Sequence, residues 1–197
     1  MEKVFSLVEQ KHGRNGKDLV IEAHAFMKSA HRNQKRAGGE EFHTHPEAVV
    51  NILVEQGHTD PVLLSAAFLH DVVEDTDVVM LAVRKKFGEE IAFLVDAATD
   101  VGRGDGKPRV ADKYERMRLT QEKILGMGKQ DSRIFLIKTA DRLHNLRTVS
   151  ALSQERQERL MKEARDFHTK LAHDAGEEEL AGLIDGLVEA YLDARKE

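Results

Sequence analysis

Apolar residues recur at steps of three and four along most of this chain, and polar or charged residues fill the positions between them. In the first such segment, at about residues 17–36, the apolar positions are Leu19, Ala23, Phe26 and Ala30. This spacing places apolar side chains on one face of an α-helix. No stretch of β-branched alternation competes with it, and the chain has only three prolines. The pattern therefore predicts an all-α fold.

Two segments are apolar enough to form the central helices of a core. One follows Asp60, a predicted N-cap, and reads PVLLSAAFLHDVVED, and the other begins at Asp131 or Ser132 and reads SRIFLIKTADRLHNLRTVSAL. Further helices are predicted at about 46–57, 78–87, 89–98, 110–125, 154–173 and 177–196, with a mobile loop at 100–109. We expect a single domain over residues 1–197, with a motif-bearing core at about 17–150 and C-terminal helices at about 154–196.

The composition limits the kinds of function that the chain can have. No run approaches the roughly 18 consecutive apolar residues of a membrane helix, and the N-terminus lacks a secretory signal, so we expect a cytoplasmic protein with no membrane partner. The formal charge is −5 without a long Lys/Arg run, which argues against a nucleic-acid partner but allows a small anionic ligand. Cysteine is absent, so a metal must be bound by imidazole and carboxylate groups.

The segment HDVVEDTD carries the first candidate site. His70, Asp71, Glu74 and Asp75 occupy positions i, i+1, i+4 and i+5, which fall on one stripe of a helix. Crowding these ionisable groups at the end of an apolar helix is costly unless a cation offsets the carboxylates. The stripe therefore indicates a bound metal ion.

The second central helix carries another polar stripe. Lys138, Asp141, Asn145 and Thr148 are separated by three, four and three residues, so they share one face of an otherwise apolar helix. If the two central helices pack with these ends together, Asp141 joins His70 and Asp71, and His45 enters from the start of the helix at Pro46. Two imidazoles and two carboxylates suit Mn, Fe, Ni or Zn.

Each of these residues also has a purely structural interpretation. An isolated His-Asp pair is weak support for a metal site. Glu74 and Asp75 can be solvated or cap the next helix, Asp141 can be the polar end of a helix contact, and Lys138 can form an ion pair with a neighbouring acid. We interpret the other histidines as surface or packing residues: His12, His24, His31, His43, His58, His144, His168 and His173.

Four segments of the chain resemble a known family when they are taken together. AHRNQKRAGG, HPEAVVNIL, AAFLHDVVEDTD and LIKTADRLHNLRTV are similar to the hydrolase domain of the Rel/Spo alarmone enzymes, in the stand-alone form called small alarmone hydrolases. The resemblance runs from about residue 17 to 150. It implies an all-helical HD fold and a Mn²⁺-dependent hydrolase, with another divalent cation as the alternative. The implied reaction removes the 3′-pyrophosphate of guanosine tetra- or pentaphosphate (ppGpp or pppGpp).

The resemblance also implies roles for individual residues. The metal ligands would be His45, His70, Asp71 and Asp141. Glu74 and Asp75 would be the catalytic acids that activate and orient water. Contacts to the nucleotide would come from Arg36, Asn145 and Thr148. We add Lys138 as the preferred cation for the phosphoryl oxygens, ahead of Arg142, Arg147 and the loop residues Arg103, Lys107 and Arg109.

Two positions depart from the pattern of this family and leave the substrate open. Ala37 stands where a lysine usually follows the arginine, and Glu41-Phe42 replaces Pro-Tyr upstream of His45. Similar small hydrolases act on adenine alarmones or on NADPH, so another nucleotide is the alternative substrate. A catalytically silent module that binds alarmones is a further alternative, although all six metal-binding and catalytic positions are filled. The sequence does not determine the oligomeric state, and a homo-oligomer is one alternative.

Overall fold

The computed structural model describes residues 1–103 and 112–195, and these residues form helices and connecting turns. The helices are α1 Glu2–Ala30, α2 Thr44–Glu55, α3 Pro61–Leu69, α4 Val72–Asp75, α5 Met80–Ala98, α6 Lys113–Gly128, α7 Arg133–Arg147, α8 Gln154–Glu163, α9 Thr169–Asp174 and α10 Glu178–Asp193. A 3₁₀ turn spans Val149–Ala151, and a π-helical turn spans Ala164–His168. Within the described ranges the only β-type pairing is one isolated bridge between Lys35 and Glu41. The predicted all-α fold is confirmed.

Helix α3 lies at the centre of the core. Every residue from Leu63 to Leu69 is buried, and the helix packs against α1, α2, α5 and α7. Side chains such as Phe68 are completely removed from solvent, and each large apolar side chain buried in this way contributes about 1.5–3 kcal/mol. As predicted, the carboxylate of Asp60 caps the helix by accepting hydrogen bonds from the backbone N–H groups of Val62 and Leu63. The central helix therefore fixes the start of the HDVVED segment.

The first helix differs from its predicted bounds. It begins at Glu2 rather than near Lys17 and ends at Ala30, so Arg36 lies in the following loop. A kink at Gly13, where φ is +73°, divides this helix. The glycine interrupts the periodic pattern, which is why only its second half was recognised. At Gly88, where φ is +86°, α5 is likewise divided at the predicted helix end.

The apolar helix that was predicted to continue through the HDVVED segment is interrupted at His70 and Asp71. Helix α3 ends at Leu69, and α4 begins at Val72. His70 Nδ1 donates a hydrogen bond of 2.7 Å to the carbonyl oxygen of Ala67, the group that residue 71 would bond in a continuous helix. The prediction of one unbroken stripe was wrong, and the interruption sets the directions of His70 and Asp71 separately.

The predicted C-terminal helices are confirmed with one local change. Of the four positions expected to be buried in the first of them, Ala164 and Leu171 are buried, whereas Leu160 and Phe167 are only partly covered. The π-helical turn changes the register and buries His168.

Some predicted features lie outside the described residues. They are part of the loop at 100–109, with Lys107 and Arg109, and the end of the last helix at Lys196. No described helix has the length and apolar character needed to cross a bilayer.

Candidate metal centre and substrate cleft

Four helices position the four predicted metal ligands. His45 lies in the first turn of α2, His70 and Asp71 lie between α3 and α4, and Asp141 lies on α7. Potential ligand atoms of His45, His70 and Asp141 all lie within 4.8 Å of one another. Asp71 Oδ2 is 3.4 Å from His45 Nε2 and 3.2 Å from His70 Nε2. The structure therefore groups two imidazoles with the carboxylate of Asp141 and places the carboxylate of Asp71 beside both imidazoles.

The electrostatics of this cluster fit a divalent cation. Burial opposes a charge on His70, but the nearby carboxylates of Asp71 and Asp141 outweigh it and raise the pKa of His70 to about 9. His70 directs Nδ1 to Ala67, so its buried Nε2 faces Asp71 Oδ2 at 3.2 Å and Asp141 Oδ1 at 3.8 Å. A buried imidazole nitrogen that faces two carboxylates is the donor set expected for Mn, Fe, Ni or Zn. The residues present thus fit a metal ion.

The two predicted catalytic acids lie beside this cluster on α4. Glu74 accepts hydrogen bonds of 2.9 Å from the backbone N–H of Asp100 and from Nη1 of Arg103. Arg103 Nη1 also lies 3.4 Å from Asp75 Oδ1. Burial, reinforced by Asp100 and Asp71, raises the pKa of Glu74 to about 7, and burial with Asp71 raises the pKa of Asp75 to about 6. Both carboxyl groups therefore titrate in a range useful for proton transfer.

The residues predicted to bind the nucleotide form a hydrogen-bonded chain that leads to the metal cluster. Arg36 Nη2 donates to Asn145 Oδ1 at 3.0 Å and to Thr148 Oγ1 at 3.4 Å. Asn145 Nδ2 in turn donates to Asp141 Oδ1 at 2.6 Å. This chain joins the loop after α1 to α7 and couples the wall of the cleft to a candidate ligand.

Lys138, the predicted cation for the phosphoryl oxygens, is buried and already has partners within the protein. Its ammonium group donates to the carbonyl oxygen of Ala98 at 3.0 Å and lies 3.8 Å from Asp141 Oδ2. Burial would lower the pKa of Lys138, but Asp141, Asp100 and Glu74 outweigh it, so the pKa is raised. The side chain remains charged and balances the carboxylates while it lines the cleft.

Three residues next to the cluster were not recognised in the sequence. His144 Nδ1 lies 2.7 Å from His45 Nδ1, and the ring of His31 stacks on Phe42 at a centroid distance of 4.2 Å. Gln34 bonds the ring of His31 and donates to the backbone carbonyl of Asp75. The interpretation of His144 and His31 as ordinary packing residues was therefore incomplete. The only sequence signal for His144 was its spacing of three from Asp141.

Three of the candidate ligands, His45, Asp71 and Asp141, and both acids line a cavity of about 430 Å³. Both departures from the family pattern reach it, because Ala37 and Phe42 are part of its wall. A second cavity of about 270 Å³ lies alongside, between α6 and α8. The two cavities share five lining residues: Asp100, Arg103, Lys138, Arg142 and Leu160. The cleft is therefore larger than the space around the metal cluster.

The chain is similar to a known protein family and to several known proteins. The family described as "HD domain" matches residues 23–177. A probable guanosine-3′,5′-bis(diphosphate) 3′-pyrophosphohydrolase of Synechocystis is 39% identical over 158 residues, which are 80% of this chain and 20% of that protein. A GTP pyrophosphokinase of Streptomyces coelicolor is 38% identical over 174 residues, covering 88% of this chain and 20% of that protein. The chain thus spans about a fifth of the length of these relatives.

A solved structure matches the chain over nearly its whole length. It is described as a metazoan ortholog of SpoT that hydrolyses ppGpp and has a role in starvation responses. The two chains are 31% identical with a TM-score of 0.74, and the match covers 88% of this chain and 95% of that one.

Proposed function

Because the chain belongs to the HD-domain family, we propose that it hydrolyses guanosine 3′,5′-bis(diphosphate), ppGpp, and its pentaphosphate counterpart. Water would attack the 3′-pyrophosphate group, releasing GDP or GTP and pyrophosphate. Two similar proteins support the proposal. The metazoan SpoT ortholog, whose chain is matched over 95% of its length, is described as hydrolysing ppGpp. The Synechocystis relative is named as a probable ppGpp 3′-pyrophosphohydrolase. We propose that the whole chain acts as one domain in this reaction.

One observation carries this proposal: His45, His70 and Asp141 come from separate elements and bring their ligand atoms within 4.8 Å of one another, beside a cleft lined by Asp71 and the two acids. His45, His70, Asp71 and Asp141 would hold the metal ion, which we propose to be Mn²⁺, with another divalent cation as the alternative. When bound, such an ion lowers the pKa of a coordinated water and withdraws charge from a phosphoryl oxygen.

The acids of α4 would manage the proton of the attacking water. Glu74 has a pKa raised to about 7 by burial and by Asp100 and Asp71, so its carboxylate can accept a proton near neutral pH. The backbone N–H of Asp100 and the guanidinium of Arg103 hold both of its oxygens in place. Asp75, which shares Arg103, would orient the water. In this proposal Glu74 is the general base, and Asp75 positions the water.

The opposite wall of the cleft would bind the nucleotide. Arg36, Asn145 and Thr148 already form one hydrogen-bonded group there. A planar guanidinium can contact a phosphate with two parallel hydrogen bonds or stack on a base. Lys138 would contribute its charge to the phosphoryl oxygens from the floor of the cleft, next to Asp141.

A second substrate class is favoured by one feature of the cleft. Ala37 lines the cavity directly after Arg36 and supplies no charge, where the family pattern has lysine. A site with one cation fewer near the nucleotide binds a guanosine tetraphosphate less selectively. Adenosine 3′,5′-polyphosphates and NADPH are therefore the alternative substrates of the same metal centre.

A substrate panel tests the proposed function. The purified protein is stripped with a chelator, loaded with Mn²⁺ and incubated with guanosine and adenosine 3′,5′-polyphosphates and with NADPH, and the products are identified. We expect ppGpp to give GDP and pyrophosphate at the highest kcat/KM, with activity lost on chelation and restored by Mn²⁺. Faster turnover of an adenine nucleotide would reassign the substrate. No hydrolysis of any nucleotide, with no stoichiometric metal bound, would leave only the silent binding module.

A further inference from the structure

The π-helical turn at Ala164–His168 is the feature from which a further role can be argued. One extra residue in this turn rotates the following side chains, and His168 is buried on the side of the turn that contacts α7. His168 Nδ1 donates to the carbonyl oxygen of Glu163, five residues earlier, at 3.2 Å. His168 is buried, with 4% of its surface exposed, although its ring is polar, so a hydrogen-bond partner is expected for its second nitrogen.

That partner is Arg142, which follows the candidate ligand Asp141 on α7. Arg142 Nε donates to His168 Nε2 at 3.4 Å, and its Nη2 donates to Glu163 Oε2 at 3.1 Å. Burial, with the charge of Arg142 beside the ring, lowers the pKa of His168 well below 6.5. The imidazole is therefore neutral, and since Nδ1 carries its hydrogen, Nε2 can accept from the guanidinium.

Arg142 lies where two cavities meet, although only 13% of its side chain is exposed. Arg142 lines both the cavity around the metal cluster and the second cavity between α6 and α8. His168 and Glu163, which hold it, line only the second cavity. The wall of that cavity carries further cations, Lys113 and Arg159. Two of the five N–H donors of Arg142 are used by His168 and Glu163, so donors remain for a ligand.

We propose that Arg142 binds an anionic group of the substrate away from the reacting phosphate, and that His168 is the positioning residue that fixes its guanidinium. The chemical class of the ligand is a nucleotide with phosphates at two positions of the ribose. This inference rests on the proposed function. A guanidinium tied at two of its nitrogens loses less conformational freedom when it binds a phosphate, so fixing it favours affinity.

Steady-state kinetics with ppGpp in Mn²⁺ and equilibrium titration of the metal-free protein with ppGpp test the proposal. His168→Phe keeps the size of the ring but cannot accept from Arg142. We expect it to raise both KM and Kd about tenfold and to leave kcat within about threefold, because a contact to a non-reacting group is lost equally in the ground and transition states. His168→Gln, which keeps a donor and an acceptor, is expected to recover most of this affinity.

A double-mutant cycle separates positioning from general destabilisation. In an Arg142→Gln background, His168→Phe should have no further effect on KM, because the guanidinium it positions is gone. His173→Phe is the matched control, since His173 is an exposed residue of α9 paired with Glu178. It should leave KM and kcat as in the parent protein.

Several outcomes would overturn the inference. Parent-like KM and Kd in His168→Phe would do so, as would equal effects of His168→Phe in both backgrounds. If thermal melts show that His168→Phe does not fold, Arg142→Lys is measured in its place. Lysine keeps the positive charge but has no Nε donor for His168. An unchanged KM in Arg142→Lys would also overturn the inference. A parent protein that neither binds nor hydrolyses ppGpp would overturn the proposed function itself, which the parent measurement alone reveals.

Discussion

His144 lies directly behind His45, with 2.7 Å between their Nδ1 atoms. Burial, together with His45 and Arg36, lowers the pKa of His144 to about 4, so its ring is neutral and can accept a hydrogen bond. His45 can then donate from Nδ1 to His144, which leaves the lone pair of Nε2 for a metal ion between Nε2 and Asp141 Oδ1, two atoms 3.1 Å apart. This is the tautomer that a metal-binding imidazole requires, and a residue behind the ligand fixes it.

Removing this contact should weaken metal binding without removing a ligand. We expect His144→Leu to lower the affinity for Mn²⁺ by about 10–100-fold, the usual cost of losing a hydrogen-bond partner behind a ligand. His144→Asn, which keeps an acceptor, should lose less. Calorimetric titration of the metal-free protein measures both. The control is His173→Leu, at a residue remote from the cluster, and equal affinities in all three variants and the parent would contradict the role of His144.

Substitutions at Glu74 and at Asp71 should have different effects on turnover and on metal binding. Glu74→Gln keeps the hydrogen-bonding shape but removes the group that accepts the proton, so we expect bound metal at parent level and kcat reduced about 10²–10⁴-fold. Asp71→Ala removes a candidate ligand and should lose both metal and activity. Metal content by elemental analysis and product release by chromatography distinguish the two. Parent-level activity in Glu74→Gln would exclude Glu74 from the reaction.

The helices and the set of candidate ligands could be predicted because both depend on local spacing. The apolar character of α3 and α7 marks them as central helices, and Asp60 before Pro61 marks a helix start. Spacing of three and four residues places Lys138, Asp141 and Asn145 on one face of α7. The part of the site that α7 carries is therefore encoded in register before any tertiary contact is known.

Features that depend on contacts between distant segments could not be predicted. The interruption at His70 follows from its bond to Ala67, and the π-helical turn accompanies the burial of His168 against Arg142. A histidine that turns inward has the same local sequence as one that remains on the surface. The contact of His144 with His45 likewise exists only because α2 and α7 pack together.

The close approach of α6 to α7 makes Gly128 sensitive to any side chain. A Cβ at Gly128 would collide with the ring of Phe135, which is buried in the core. We expect Gly128→Ala to lower the free energy of unfolding by about 1–3 kcal/mol through overpacking. Gly126→Ala is the matched control on the same helix, because a Cβ there meets nothing within 4 Å. It should raise the free energy of unfolding by about 0.5–1 kcal/mol. Urea unfolding measures both, and effects of the same sign would contradict the argument.

Buried His168 should make the protein sensitive to mild acid. Burial and Arg142 lower its pKa well below 6.5, with a further contribution of the same sign from Lys138, partly opposed by its bond to Glu163 and by Asp141. Below pH 6.5 the unfolded chain binds a proton that the folded chain does not, so the free energy of unfolding falls by about 1.4 kcal/mol for each pH unit over which the buried ring stays neutral. Above pH 6.5 both states are neutral and this contribution is constant. Urea unfolding of the parent and of His168→Gln between pH 5 and about pH 7.5 isolates the effect, since other titrating groups cancel in the difference. The parent should lose more stability than the variant as the pH falls, and parallel curves would show that His168 is not responsible.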